Sequence, residues 1–394
     1  MKNWKYFSFV LLFCIACSFE NNLPVEKERI KQAAQQLRYA LELAEPLRDS
    51  VWVSPRTIEN GKLKLVKSSD WTSGFFPGNL WMMYEITGDD FWKEEAIKYT
   101  LPLKKEQWNA GTHDMGFKMF CSFGKAYGNT NNTEYRDILI QSAKTLATRF
   151  NPRVGCIRSW DHNADKWDFP VIIDNMMNLE LLLWAAKESG ENYLKDIAVT
   201  HAYTTLKNHF RDDNSSYHVV DYNPETGEIQ NKHTHQGYAH ESSWARGQAW
   251  GLYGFTMMYR ETGNKDFLVQ AEKIADFLLK KEGIKKGVIP YWDFDAPNIP
   301  NEPLDASAGA IMASAFFDLA QLAENGQVYL DVSDKLFNTL SAGKFFAPVG
   351  ENKGFLLMHS TGHKPHNSEI DVPIVYADYY YLELLNKRSK LISN

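Results

Sequence analysis

The chain predicts an all-α fold, an (α/α)6 toroid of six helical hairpins whose long loops gather on one face. Three features of the sequence predict it. The first is a weak internal repeat: an apolar helical run ends near a Gly, a short polar turn follows, and a new helix opens on an aromatic residue. TGDDFW (87–92), YGNTNNTEY (127–135), SGENYL (189–194), TGNKDFL (262–268) and ENGQVYL (324–330) are its five copies, each Gly suiting a helix C′ position that needs positive φ. The second is an alternation of character. The run before each turn is apolar nearly all round, whereas the run after it, such as YRDILIQSAKTLATRF or FLVQAEKIADFLLKK, is amphipathic, so outer helices shield inner ones. Third, period-two alternation is confined to short pieces such as KLKLV and YHVVDY, which excludes a two-sided β protein.

Taken in order, residues 1–17 read as a targeting leader. Lys2 and Lys5 form a basic start, 6–16 is an apolar stretch too short to span a membrane, and Cys14-Ile15-Ala16-Cys17 resembles a loose bacterial lipobox ending in a lipidated Cys. An export signal cleaved elsewhere is the other reading. The expected location is therefore outside the cytoplasm, as a periplasmic or membrane-anchored lipoprotein. What remains, 25–392, forms one (α/α)6 domain. Its inner helices are expected near 71–88, 115–128, 174–190, 244–263 and 306–326, and 26–47 with 372–390 closes a sixth hairpin. The long connections 50–70, 151–171, 211–243, 283–304 and 346–371 precede inner helices, so one mouth of the toroid should carry the site.

Composition narrows the function. With 394 residues, 44% of them hydrophobic, the chain has ample core and no disordered character. The net charge of −6 argues against a broad basic surface for nucleic acid, so an acidic ligand must be met by a few placed groups. Beyond the leader only Cys121 and Cys156 remain, too few for a disulfide framework or a Cys-based zinc site. His233-Thr-His235 has no third ligand at metal spacing, so no metal and no cofactor are expected. Twelve Trp and nineteen Tyr suit both core packing and sugar stacking.

The stretch VIIDNMMNLELLLWAAKESG (171–190) predicts a helix buried on most sides, with Asp174 at the start of its buried run. Asp is a favoured N-cap residue, which accounts for that position in structural terms. Apolar neighbours also raise a carboxyl pKa toward the range useful for acid and base work. Asp114, in GTHDMGF, has a similar setting, and Asp70, Glu241 and Asp305 introduce other inner helices. Arg246 opens an apolar helix, where it meets either a structural carboxylate or an anionic ligand. Trp244 and Trp250 flank it, as core or as walls for a sugar ring.

Five segments in order, DWTSGFFPGNLW (70–81), HDMGF (113–117), IDNMMNL (173–179), SWARGQAW (243–250) and DASAGA (305–310), resemble the signature segments of unsaturated glucuronyl hydrolases, glycoside hydrolase family 88. The likeness runs from about residue 30 to the C-terminus. It implies an exo-acting enzyme that removes the 4,5-unsaturated uronic acid from the non-reducing end of lyase-made, glycosaminoglycan-type oligosaccharides by hydrating the C4=C5 bond. Asp174 matches the family's acid/base and Asp114 its second essential carboxylate. Trp71 and Trp250 match stacking positions, His218, Thr234, Gln236 and Arg246 match polar contacts, and Trp244 matches a wall. Ser360, His363 and Lys364 lie in a segment that resembles a sulfate-contacting loop. An unsaturated rhamnogalacturonyl-type hydrolase, an enzyme cutting within intact polysaccharide, and a non-catalytic, lipid-anchored glycan-binding protein are the alternative readings. The expected partner is the unsaturated oligosaccharide, with no nucleic acid and membrane contact only through a lipid on Cys17.

Overall fold

The computed structural model describes residues 23–392; the leader and Cys17 lie outside them. Hairpins of helices form the frame. α1 (Leu23–Ala44) precedes a β-hairpin, β1 (Ser54–Glu59) with β2 (Lys62–Val66), and then come α2 (Phe75–Thr87) and α3 (Asp90–Thr100). A π-helical segment, Gly116–Gly124, runs into α4 (Lys125–Thr130) and is followed by α5 (Thr133–Ala147) and a short hairpin, β3 (Phe150–Asn151) with β4 (Cys156–Ile157). α6 (Leu179–Ser189) pairs with α7 (Asn192–Asn208), α8 (Ala245–Thr262) with α9 (Lys265–Lys280), and α10 (Ala306–Leu322) with α11 (Gly326–Leu340). α12 (Val375–Ile392) packs on α2 and α10 and closes the ring. This is the (α/α)6 toroid. One hydrophobic core runs through it, from Ala33 on α1 to Leu385 on α12.

The turns follow the repeat with two exceptions. Gly88, Gly190 and Gly263 end α2, α6 and α8 with φ of 67°, 75° and 68°, the left-handed C′ conformation that the repeat predicts. Gly128 instead lies inside α4, and Asn131 takes the left-handed position with φ 50°; Asn tolerates that conformation because its short amide bonds locally. Gly326 begins α11 rather than ending α10, and a Cβ there would come within 2.0 Å of the Ala320 carbonyl oxygen. It is held by close packing.

Glycines also set how near the inner helices come. A Cβ on Gly74 would lie 2.3 Å from the Phe117 and Lys118 carbonyl oxygens, and one on Gly116 would lie 2.7 Å from Asn178 Cα. The π-helical segment is therefore drawn in against α2 and the segment before α6, and the Asn178 side chain accepts the Phe117 amide at 3.1 Å.

The sequence expectation of a continuous helix over 171–190 is corrected. Pro170–Ile172 is a strand, β5, and Ile173–Asn178 is a 3-10 turn leading into α6. Val171 and Ile172 are β-branched and pair antiparallel with Val220 and Val219 of β6 (Val219–Tyr222), which in turn pairs with β7 (Ile229–His233). β-branched side chains favour an extended backbone where a partner strand exists. Another local sheet, β8 (Ser360–His363) with β9 (Ser368–Val372), comes from the loop before α12. The N-terminal ends of the inner helices and these two sheets surround one mouth.

Candidate active site

Among the described residues, two cavities are walled in part by residues of the inner helices. The larger, about 580 Å³, has Glu180, Arg260, Glu383 and Lys387 in its wall. Those charges answer one another, Arg260 to Glu180 at 2.5 Å and Lys387 to Glu383 at 3.0 Å. The smaller, about 360 Å³, opens at the loop mouth and holds Asp114 and Asp174. Phe117 lines both and so partitions them. Chemistry needs an unspent group, and the smaller cavity has one.

Asp174 is that group. It is the second residue of the 3-10 turn, 8% exposed, and its side chain caps nothing: Ile172 holds the N-cap position. The capping explanation is therefore set aside. Oδ2 is buried without a hydrogen-bond partner among the described residues. Burial pushes the carboxyl up to about 7; the Arg246 charge and the Trp250 indole pull against this, and the Asp114 charge adds to it. A carboxyl that is half protonated near neutral pH is suited to give and take one proton.

Asp114 is more open to the cavity. Oδ2 accepts the Thr112 hydroxyl at 3.0 Å and Oδ1 faces His113 Nε2 at 3.2 Å. His113 Nδ1 lies 2.5 Å from the Ser159 carbonyl oxygen, so that nitrogen carries the proton and only Nε2 remains to face Asp114. The other helix-introducing carboxylates are structural: Asp305 caps α10, Asp70 caps its own turn and pairs with Arg56, and Glu241 pairs with Arg211 at the surface.

His218 is buried beside Asp174, and the strand register explains why. β5 and β6 pair up to Ile172 and Val219, and the Ile173 amide donates to the His218 carbonyl at 3.1 Å. Nδ1 accepts the His235 and Gln236 amides at 3.0 and 3.1 Å. The neutral ring thus keeps its proton on Nε2, 3.8 Å from Asp174 Oδ2. Burial holds its pKa well below the ordinary histidine value. Trp244 lies against the ring with centroids 4.6 Å apart.

Arg246 lines the cavity but is already engaged. Nη1 donates to Asp305 at 2.6 Å and to the Thr361 carbonyl at 2.7 Å, while Nη2 donates to the Gly362 carbonyl at 2.5 Å. It fixes the β8 loop and lends positive charge to Asp174. Trp71 lines the cavity, 5.0 Å from the Tyr376 ring and 5.5 Å from Phe117, and Gln236 and His363 line it too.

Other expected residues stand elsewhere. Trp250 is fully buried, with Phe117 and Tyr380 at 5.2 and 5.4 Å, so it supports Asp174 from beneath and offers no sugar platform. Trp244 is likewise a backing wall, 2% exposed. The Thr234 hydroxyl accepts the Gly237 amide and shapes its own turn. Ser360 is fully buried in β8, and Lys364 turns toward Glu302 at 3.7 Å and the Trp292 ring.

Several lining residues lie outside the set that the sequence marks as candidate site residues. His113, Trp160, His162, His235, His366 and Tyr376 all face the cavity. Trp160 and His162 stack with centroids 5.3 Å apart. The aromatic density of RSWDHNADKW (158–167) was the available signal for that pair; for Tyr376, buried in the apolar run of α12, there was none.

Comparison with known proteins agrees with this geometry. Residues 51–316 match the family model described as Glycosyl Hydrolase Family 88. The chain is 51% identical over 328 residues to an unsaturated glucuronyl hydrolase of Formosa agariphila, covering 83% of this chain and 82% of that one. It is 33% identical to the unsaturated glucuronyl hydrolase of Bacillus sp. GL1, covering 83% and 88%. Among solved structures, an unsaturated glucuronyl hydrolase specific for heparin superposes with a TM-score of 0.89 at 46% identity, over 94% of this chain and 98% of that one. The chain belongs to glycoside hydrolase family 88.

Proposed function

We propose that this protein is an exo-acting unsaturated glucuronyl hydrolase that removes the 4,5-unsaturated uronic acid from the non-reducing end of glycosaminoglycan-type oligosaccharides left by lyases. The observation that carries this reading is the lone Oδ2 of Asp174, buried in the wall of the cavity at the loop mouth and attached to a carboxyl with a pKa of about 7. Hydration of a vinyl ether asks for one group that protonates C4 and then assists water at C5. Protonated Asp174 supplies the proton, and as carboxylate it accepts one from the incoming water. The hemiketal so formed opens and releases the shortened saccharide.

The neighbours suit that cycle. The Nε2–H of His218 and the charge of Arg246 favour the carboxylate once the proton has left, and Asp114 favours the acid that must form again. Trp71 offers a ring face to the sugar. The partition at Phe117 ends the cavity after a short run, which supports action at a chain end over cleavage within a polymer.

Export belongs to the same proposal. Lys2, Lys5, the apolar stretch 6–16 and Cys17 support a periplasmic or membrane-anchored lipoprotein. Fractionation of cells expressing Cys17→Ser tests the anchor: retention of the variant on membranes removes it.

The reaction is tested by following the ultraviolet absorbance of the C4=C5 bond in unsaturated disaccharides from heparin and chondroitin lyases. Loss of absorbance with the native chain and not with Asp174→Asn is expected, and the ranking of disaccharides names the substrate. No loss with any of them moves the reading to a rhamnogalacturonyl-type or binding-only protein.

A further inference from the structure

We propose that His235, His363 and His366 form a binding site for one transition-metal ion of the Zn2+ class, and that the ion closes the mouth of the active-site cavity. His363 ends β8 and His366 sits three residues on, in the turn before β9, whereas His235 follows β7, so the tertiary fold brings His235 to a pair that is already local. One ring nitrogen from each lies within 4.8 Å of the others.

A second observation points to a ligand. His363 is half-buried, but both of its ring nitrogens are shielded from water and have no hydrogen-bond partner among the described residues, so their bonding capacity is unused. Such an imidazole is costly unless something binds it. The ring stacks on His366 with centroids 3.9 Å apart and planes 8° from parallel, and His235 meets both edge-on at 4.9 and 5.0 Å. Three imidazoles without a carboxylate in the set suit Zn2+, Cu2+ or Ni2+ and do not suit Ca2+ or Mg2+, which take oxygen ligands. Three protein ligands with one position left over is the arrangement of an open zinc site.

The frame around the cluster is already fixed. His235 is held through its amide on His218 Nδ1, and the Gln236 side chain donates to the Gly362 carbonyl at 3.2 Å, tying the β7 loop to the β8 loop. Support of this kind positions ligands before the ion arrives. Tetrahedral zinc with bonds of about 2.1 Å places its nitrogens about 3.4 Å apart. His363 and His366 therefore tilt out of their stack to bring in-plane lone pairs onto one point, a side-chain motion that leaves both loops in place.

All three histidines line the cavity that holds Asp174, so an ion there occupies space needed by the saccharide. The binding claim stands apart from the reaction; the closure claim rests on the hydrolase reading. The chain freed of metal by chelator dialysis is titrated calorimetrically with ZnCl2 alone, and with CoCl2 to read the intense visible bands of tetrahedral Co2+. One equivalent of saturable binding is expected. His366→Ala should weaken it by at least about 10-fold, since losing even an outer-shell partner costs about 10- to 100-fold. His233→Ala, in the separate stacked pair with His240, should leave it unchanged.

Absence of saturable binding, or equal affinity in His366→Ala, overturns the site whatever the turnover. With the site filled, a fall of absorbance-detected turnover on adding zinc to the native chain, absent from His366→Ala when that variant is compared with its own metal-free rate, supports closure. Turnover that persists in the native chain with one zinc bound overturns closure.

Discussion

His218 Nε2 lies 3.8 Å from Asp174 Oδ2, and it is the only nitrogen of that ring free to face the carboxylate, because Nδ1 is committed to two backbone amides. The ring beside Asp174 Oδ2 is thus neutral, its N–H just beyond hydrogen-bond distance, and the cationic pull on the carboxyl comes from Arg246. A neutral donor steadies the carboxylate after proton transfer without driving its pKa back to the ordinary range. Acid and base forms stay close in free energy near neutral pH.

Asp174→Asn should reduce kcat by at least about 100-fold, the lower end for loss of a general acid–base group. The fold should survive and gain stability. The folded carboxyl sits at about 7 against an ordinary 3.8, so the folded chain binds more protons between those values and loses stability as pH rises through them. The full loss, roughly 4 kcal/mol, is present above pH 7. Thermal melts should therefore show Asp174→Asn above the native chain at pH 8 and the gap shrinking toward pH 4. Equal melting temperatures at pH 8 would contradict the buried-acid assignment.

The acid form of Asp174 starts the reaction, so kcat/KM should be held at lower pH and fall as pH passes about 7. The Asp114 charge raises the Asp174 pKa. The residual activity of Asp114→Asn should accordingly fall off at lower pH than that of the native chain. A limb that does not move means that the two carboxylates are not coupled.

Arg246→Ala leaves Asp305 as an unpaired charge in the core and removes the donor to the Thr361 and Gly362 carbonyls. Breaking a buried pair from one side costs about 3–5 kcal/mol. Urea unfolding should show that loss, and KM should rise because the β8 loop that carries His363 is no longer tied. A native midpoint of unfolding would show that the pair carries little of the stability.

Trp71 and Trp250 should separate in kinetics. Trp71→Ala removes a lining ring and should raise KM, by about 1 kcal/mol of binding, with the pH profile intact. Trp250→Phe removes the indole that acts on Asp174 and should shift the pH limb upward with little effect on KM. A KM effect for Trp250→Phe and none for Trp71→Ala would reverse the two roles.

The sequence by itself determined the helical hairpins, their inner and outer ranks, and the end of the toroid that carries the site. Apolar period and turn chemistry act over a few residues and are readable there; Gly88, Gly190 and Gly263 stand where the repeat placed them. It also marked Asp174 and Asp114, since one apolar neighbourhood around a carboxylate is a local fact. The tertiary structure alone decided what those groups do. Only the β5–β6 register sets His218 beside Asp174, and only closure of the ring gives Arg246 its Asp305, 59 residues away. Trp250 became core, Thr234 a turn, Lys364 a partner of Glu302, and His235 the distant third member of a cluster with His363 and His366. Contacts between distant segments depend on how the chain packs as a whole, and packing is not written in the spacing of any one stretch.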